Sequence, residues 1–169
     1  FKLFKYLEFK KLLKSLPEEE AVPHSAIRLK EASAADFKQT TQSAGELAFY
    51  GSRYKELVFH AQNKFMRINS GGKDVLSDPK IKKISHDLKK SKVALAKEGV
   101  VLEGLYFDTM IAGYLLNPTK SQYSLDDLAL EYLDTVSGKR GMDDLAALEA
   151  LVKLRPKLEA ELREKELID

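Results

Sequence analysis

Residues 82–99 read KKISHDLKKSKVALAKEG, and the fold depends on the change of period inside this stretch. Lys82–Ser85 has the length of a short strand, centred on the β-branched Ile84. Asp87–Glu98 then spaces Leu88, Val93, Ala94 and Leu95 along one helical face, and Gly99 is a stop signal. The alternation repeats at once. Leu102–Phe107 reads as a strand. Asp108 caps a helix carrying Met110, Ile111, Tyr114, Leu115 and Leu116, which Asn117-Pro118 ends. Strand, helix, strand, helix is the pattern of an α/β domain.

Toward the N-terminus the pattern differs. Glu46–Tyr50, Glu56–Ala61 and Lys64–Ile68 read as three strands, with Gln62-Asn63 as a two-residue hairpin turn and Ser70-Gly71-Gly72 closing the meander. Before them, Ser33 caps a short helix from Ala34 to Thr41, and Ser43-Ala44-Gly45 makes a turn. Residues 17–34 read as a linker, because Pro17 and Pro23 bracket an acidic run. Residues 1–16, FKLFKYLEFKKLLKSL, read as a basic amphipathic helix with five Lys against one Glu.

Beyond Phe107 the expectation is all helical. Asp74–Lys80 reads as a short helix ahead of the quoted stretch, and Ser124 caps a helix over Leu125–Leu133 with Asp127 at capping-box distance. Val136–Gly141 is a loop. The last helix starts near Met142, with Leu145, Leu148, Val152 and Leu162 near one stripe and Pro156 bending or interrupting it. The expected architecture is a mixed sheet: three meandering antiparallel strands first, then alternating helices and strands.

Composition narrows the function. The chain has 169 residues and a mass of 19.1 kDa, the size of one domain. Hydrophobic residues are 44% and charged residues 32%, so a core can form and the surface stays wet. Lys and Arg number 28 against 26 Asp and Glu, too small an excess for a strongly basic nucleic-acid clamp. No Cys is present, which excludes disulfides, thiolate metal sites and Cys catalysis. His24, His60 and His86 are dispersed and match no metalloprotease spacing. No apolar run approaches the roughly 20 residues of a membrane span, and the expectation is a soluble intracellular chain with no membrane partner. The chain opens on Phe1 inside a helical pattern and closes on Ile168-Asp169 without a helix stop. We read it as an excised piece of a longer polypeptide.

Phosphate-binding glycine loops and nucleophile elbows are absent. Acidic residues are plentiful. A two-metal nuclease needs several converging carboxylates, because hard cations take oxygen ligands and their charge must be balanced. Asp87, Asp108, Asp126, Asp127, Asp143 and Asp144 are the candidates. Asp108, Asp126 and Asp127 stand at helix starts, where capping is the simpler role.

Three segments carry a resemblance. Lys83-Ile-Ser-His-Asp-Leu-Lys-Lys-Ser91 is followed by Gly99-Val-Val-Leu-Glu-Gly-Leu-Tyr-Phe-Asp-Thr-Met110 and Ala112-Gly-Tyr-Leu-Leu-Asn-Pro118. Together with Tyr123-Ser-Leu-Asp-Asp-Leu-Ala129 they resemble the proofreading 3′–5′ exonuclease domain of bacterial DNA polymerase I over about residues 45–169. The resemblance implies a ribonuclease H-like, DnaQ-type exonuclease fold. It implies that residues 1–16 end a preceding 5′-nuclease domain, 17–34 link, and 35–169 form the exonuclease-like domain whose last helix leads into a polymerase domain. It also implies a cytoplasmic, nucleoid-associated bacterial parent that synthesises DNA with Mg²⁺ and meets DNA through its other domains.

The family's metal-binding carboxylates carry over one position at a time. At the Asp-x-Glu motif this chain has Tyr50 and Ser52, and at the last Asp of the second motif it has Ser91. Counting back from Pro156, Lys139 falls at the Tyr of the third motif and Asp143 at its Asp. At most Asp143 survives. Neutral Ser and Tyr oxygens cannot balance two divalent cations. The reading is therefore a vestigial domain without catalytic residues, metal or cofactor, acting as a spacer. Two alternatives stand beside it: an active metal-dependent exonuclease with relocated ligands such as Asp87, and a nucleic-acid- or protein-binding adapter of the same fold. Lys82, Lys83, Lys89, Lys90 and Lys92, within a run that includes Lys80 and Lys97, form a candidate DNA-contacting patch. Tyr54, Tyr106 and Tyr123 are candidate stacking aromatics.

Overall fold

The computed structural model describes residues 27–51, 53–135 and 141–168. The helix expected over 1–16 and most of the expected linker lie outside the described residues. Six strands form one sheet: β1 (Leu29–Glu31), β2 (Glu46–Tyr50), β3 (Val58–Ala61), β4 (Lys64–Arg67), β5 (Lys82–Ser85) and β6 (Leu105–Asp108). Their order is β1-β4-β3-β2-β5-β6. β2, β3 and β4 are the antiparallel meander, and β5 and β6 extend it in parallel from β2. The mixed sheet matches the expected class.

β1 is a correction. It lies within the stretch read as linker and pairs parallel with β4, Leu29 opposite Phe65. Three residues carry no readable alternation, so this strand exists only because the β4 edge offers hydrogen bonds. Ala32 N–H continues the pairing onto Arg67 O at 2.9 Å.

Helices cover both faces. α1 (Ala34–Ala44), α2 (Lys73–Ser77) and α3 (Leu88–Lys97) are joined by α4 (Thr109–Leu116), α5 (Leu125–Leu133) and α6 (Asp144–Glu164). One core layer packs Phe37, Phe49, Phe59 and Leu95 beneath α1 and α3. The other packs Val58, Ile84, Leu148, Leu151 and Leu158 beneath α4, α5 and α6. Being covered twice explains why Leu47-Ala48-Phe49 reads as a solid apolar run rather than an alternating one.

Local chemistry sets the boundaries. Ser33 Oγ accepts Asp36 N–H at 3.1 Å and donates to Asp36 Oδ2 at 2.7 Å, starting α1. Gly45, in the left-handed region at φ 68°, caps it after Ala44, three residues past the expected Thr41. Gln62 and Asn63 both take positive φ, as the hairpin turn requires. β6 starts at Leu105 rather than Leu102 because Gly104 breaks the strand. A Cβ there would lie 2.4 Å from Ile81 O. α6 continues through Pro156, and its buried stripe is Leu148, Leu151, Leu154, Leu158 and Leu162. Leu145 and Val152 sit beside that stripe, half-buried. Arg155 ties α6 to the sheet by donating to Glu46 Oε1 at 2.8 Å. No helix among the described residues is long and apolar enough to cross a membrane.

Lys83 is fully buried beside Gly104. Its Nζ donates to Asp78 O at 2.6 Å and Ile81 O at 2.8 Å. Burial pulls this ammonium down to about 8, against the opposing pull of Asp78 and Glu103. In the unfolded chain the group returns to about 10.5. Between those values the unfolded state binds the extra proton, so stability rises as pH climbs through that window. Urea titrations at about pH 7.5 and about pH 9.5 should show the wild type gaining stability relative to Lys83→Met. An equal gap at both pH values would contradict the assignment.

Candidate functional site at the carboxyl ends of the parallel strands

Because β2 and β5 run parallel, with Ala48 opposite Ile84, Tyr50 and the turn Ser85-His86-Asp87 arrive side by side. β6 brings Asp108 opposite Ser85. Ser85 Oγ donates to Phe49 O at 2.8 Å and fastens β5 to β2 just below this rim.

Asp108 is the buried centre of the arrangement. Its Oδ2 accepts Leu88 N–H at 2.7 Å, and its Oδ1 accepts Asp87 N–H at 3.0 Å and Met110 N–H at 2.9 Å. Ile111 N–H adds a longer bond at 3.4 Å. One carboxylate thus serves the first amides of both α3 and α4. The sequence reading of Asp108 as a cap covers only half of this. Its bonds to Asp87 and Leu88 span 20 residues or more.

The other acidic candidates divide in the same way. Asp87 caps α3, accepting Lys90 N–H at 3.0 Å from a left-handed backbone at φ 55°. Asp143 caps α6, accepting Ala146 N–H at 2.8 Å. Asp127 accepts the Ser124 hydroxyl at 2.7 Å in the capping box of α5. Asp126 and Asp144 instead lie within electrostatic reach of Tyr50. Burial raises the Tyr50 phenol above its usual value, and these two carboxylates raise it further. Burial also lifts the Asp144 carboxyl, with Glu56 adding and Arg67 opposing. Asp126 Oδ1 is buried with no hydrogen-bond partner among the described residues.

His86, dismissed in the sequence as dispersed, stands in the middle. Its Nδ1 lies 2.9 Å from Thr109 Oγ1. Burial lowers its pKa below the usual imidazole range, while Asp108, Asp87 and Asp126 oppose the shift. A signal existed: His86 directly follows a strand end and precedes a helix cap.

Two of the positions expected for the family motifs, Tyr50 and Ser91, lie near this rim. Tyr50 ends β2, half-buried. Ser91 Oγ is spent on Asp87 O at 3.2 Å within α3. Ser52 and Lys139 lie outside the described residues. A divalent ion would require several charged oxygens converging, and Tyr50 and Ser91 do not fit that demand. Among the described residues no group of three or more His, Asp and Glu is placed to hold a metal ion.

The lysine patch is rearranged. Lys83 is buried and its ammonium is committed to two carbonyls, so it cannot meet a phosphate. Lys92 pairs with Glu103 at 3.2 Å, and Lys82 sits 4.2 Å over the Tyr106 ring. Lys89 and Lys90 are exposed on α3. The three tyrosines form no common platform: Tyr54 donates to Gly71 O, and Tyr123 donates to Asn117 O at 2.8 Å.

The family model for the ribonuclease H-like domain of DNA polymerase I matches residues 38–136, more than half of the chain. The chain belongs to this domain family of DNA polymerase I. DNA polymerase I of Mycobacterium tuberculosis is 43% identical over 58 residues, which are 34% of this chain and 6% of that protein. The Mycobacterium leprae enzyme is 41% identical over a stretch of the same length. The matched stretch is thus a small part of these DNA polymerase I relatives. Among solved structures, Pol1 from M. smegmatis in complex with DNA primer-template and dNTP aligns with a TM-score of 0.63 at 24% identity, covering 78% of this chain and 26% of that one. Escherichia coli RNase D aligns at 0.64 with 15% identity, covering 84% and 47%. These likenesses confirm the ribonuclease H-like fold.

Two measurements test this rim. Asp108→Ala strands the buried Leu88 amide and the part-buried amides of Asp87 and Met110, and should cost on the order of 3 kcal/mol in urea unfolding, with Asp108→Asn losing less. A loss for Asp108→Ala below about 0.5 kcal/mol would remove its role as a latch. Burial lowers the His86 pKa in the fold, and the imidazole regains a value near 6.5 when unfolded. As pH drops through this value the unfolded state takes up the proton more readily, so stability falls. His86→Asn should flatten the decline in melting temperature between about pH 7 and about pH 5.5, leaving the part due to His60, whose pKa burial also lowers.

Proposed function

We propose that this chain is the exonuclease-like module of a DNA polymerase I in which metal-dependent hydrolysis has been lost and the fold is kept as a spacer. The observation that supports it most is chemical. A phenol occupies the rim at Tyr50, and the Ser91 hydroxyl is spent within its own helix. Asp87, Asp108 and Asp143 are engaged by backbone amides. The possible survivor, Asp143, is thus a helix cap.

On this reading residues 1–16 close a 5′-nuclease domain and the segment from residue 17 up to the start of β1 at Leu29 connects it. The remainder braces that domain against a DNA-synthesising one. The parent would be a cytoplasmic nucleotidyltransferase of replication and repair that uses Mg²⁺ and contacts DNA through its other domains. The membership in the DNA polymerase I domain family and the small fraction of the relatives that is matched favour such a parent.

Asp126 and Asp144 favour a second reading, hydrolysis with relocated ligands, because both lie within electrostatic reach of Tyr50 and, among the described residues, neither is spent in a capping bond to a helix amide like those of Asp87, Asp108 and Asp143. The two readings separate in one assay. The purified chain is incubated with single-stranded DNA labelled at its 5′ end and with Mg²⁺ or Mn²⁺. The spacer reading expects no shortening from the 3′ end. Metal-dependent release of 3′ nucleotides that disappears in Asp126→Asn or Asp144→Asn would establish the second reading instead.

A further inference from the structure

β6 is an edge strand, bonded to β5 alone within the sheet. A groove of about 490 Å³ runs along it, walled by α3 on one side and by α4 and the end of α6 on the other. The lining is aliphatic, and much of it is open to solvent: Val93 is 54% exposed, Ile111 51%, Leu105 44% and Leu115 40%. Apolar side chains gathered at an unpaired sheet edge are what a protein normally covers.

Charge at the groove is one-sided. Lys89 and Lys92 line the α3 wall, and Lys82 stands over Tyr106 on β6. Lys89 has no partner among the described residues. Glu103 pairs with Lys92. Asp108 reaches the groove with both oxygens already accepting amides. A strand laid against β6 would alternate its side chains between the two sheet faces. One set would meet the lysines of α3, and the other would meet Ile111 and Leu115 of α4.

We propose that this edge binds a protein segment that adds to β6 as a further strand, alternating acidic residues toward Lys89 and Lys92 with aliphatic ones toward α4. Backbone pairing gives such a site its affinity, and the alternation gives it specificity. The aliphatic lining argues against a nucleic acid. Single strands are held by stacking aromatics in a basic groove, and the one exposed ring here, Tyr106, has Lys82 on its face.

The test uses the 169-residue chain and a fluorescent peptide of alternating Glu and Val, with an alternating Lys and Val peptide as control. Anisotropy should show the acidic peptide binding at least about tenfold more tightly than the basic one. Hydrogen exchange at the amides of Leu105–Phe107 should slow when it binds. Ile111→Asp should abolish binding. Lys89→Glu with Lys92→Glu should weaken the acidic peptide and strengthen the basic one, a reversal that unfolding cannot mimic. Equal affinity for both peptides, or unchanged exchange along β6, overturns the proposal. Displacement of the peptide by a single-stranded oligonucleotide also overturns it. So does self-association of the chain that Leu105→Asp abolishes, because the occupant is then a second copy.

Discussion

One carboxylate ties together the two helices that pack at the β6 end of the sheet. Asp108 ends the edge strand and accepts the leading amides of α3, on one face of the sheet, and of α4, on the other. Those amides have no partners within their own helices, so burying them requires an external acceptor. A side chain without an acceptor there would leave these amides unpaired. The helices could then shift on the sheet, and the rim at His86 and the edge groove share both of them as walls. The electrostatic sense is right as well, since two helix N-termini converge on one negative group.

This use of Asp108 also bears on chemistry. A carboxylate whose oxygens each accept buried amides has little capacity left for a cation. The same is true in weaker form of Asp87 and Asp143, each spent on the first turn of its helix. Acidic residues are therefore abundant around the rim while the free oxygens that hydrolysis needs are few. Asp126 and Asp144 are the exceptions. Both lie within electrostatic reach of the Tyr50 phenol, which they help keep protonated.

The readable parts of the sequence are those where local chemistry and long-range packing agree. The meander, the Gln62-Asn63 turn and the caps at Ser33, Asp108 and Ser124 all carry their signals within four residues. The α/β alternation from Lys82 onward was legible for the same reason, and so was the likeness to a polymerase exonuclease domain. What was not legible depends on a distant partner. β1 exists because β4 is there to pair with. Lys83 looked like one more surface lysine in a basic run, yet the side-chain period of a strand turns it inward while Lys82 faces out. Only the fold brings the Asp78 and Ile81 carbonyls beneath its ammonium. His86 was discounted because metal spacings were sought along the chain, whereas its neighbours Asp108 and Asp126 approach from other elements.

The fate of the lysines shows why a charge run is a poor guide to a ligand. Taken as a string, the run points to phosphates. Placed on the fold, one lysine is buried and two border an aliphatic groove, with a third over the tyrosine beside it. A lysine beside exposed Leu, Ile and Val does two things at once: its stem extends the apolar surface and its ammonium selects the charge of whatever covers it. Such a surface offers a nucleic acid few stacking faces, Tyr106 already having Lys82 over its ring, and rejects a basic peptide by repulsion. The feature that first suggests DNA thus becomes, at the β6 edge, the feature that discriminates among proteins.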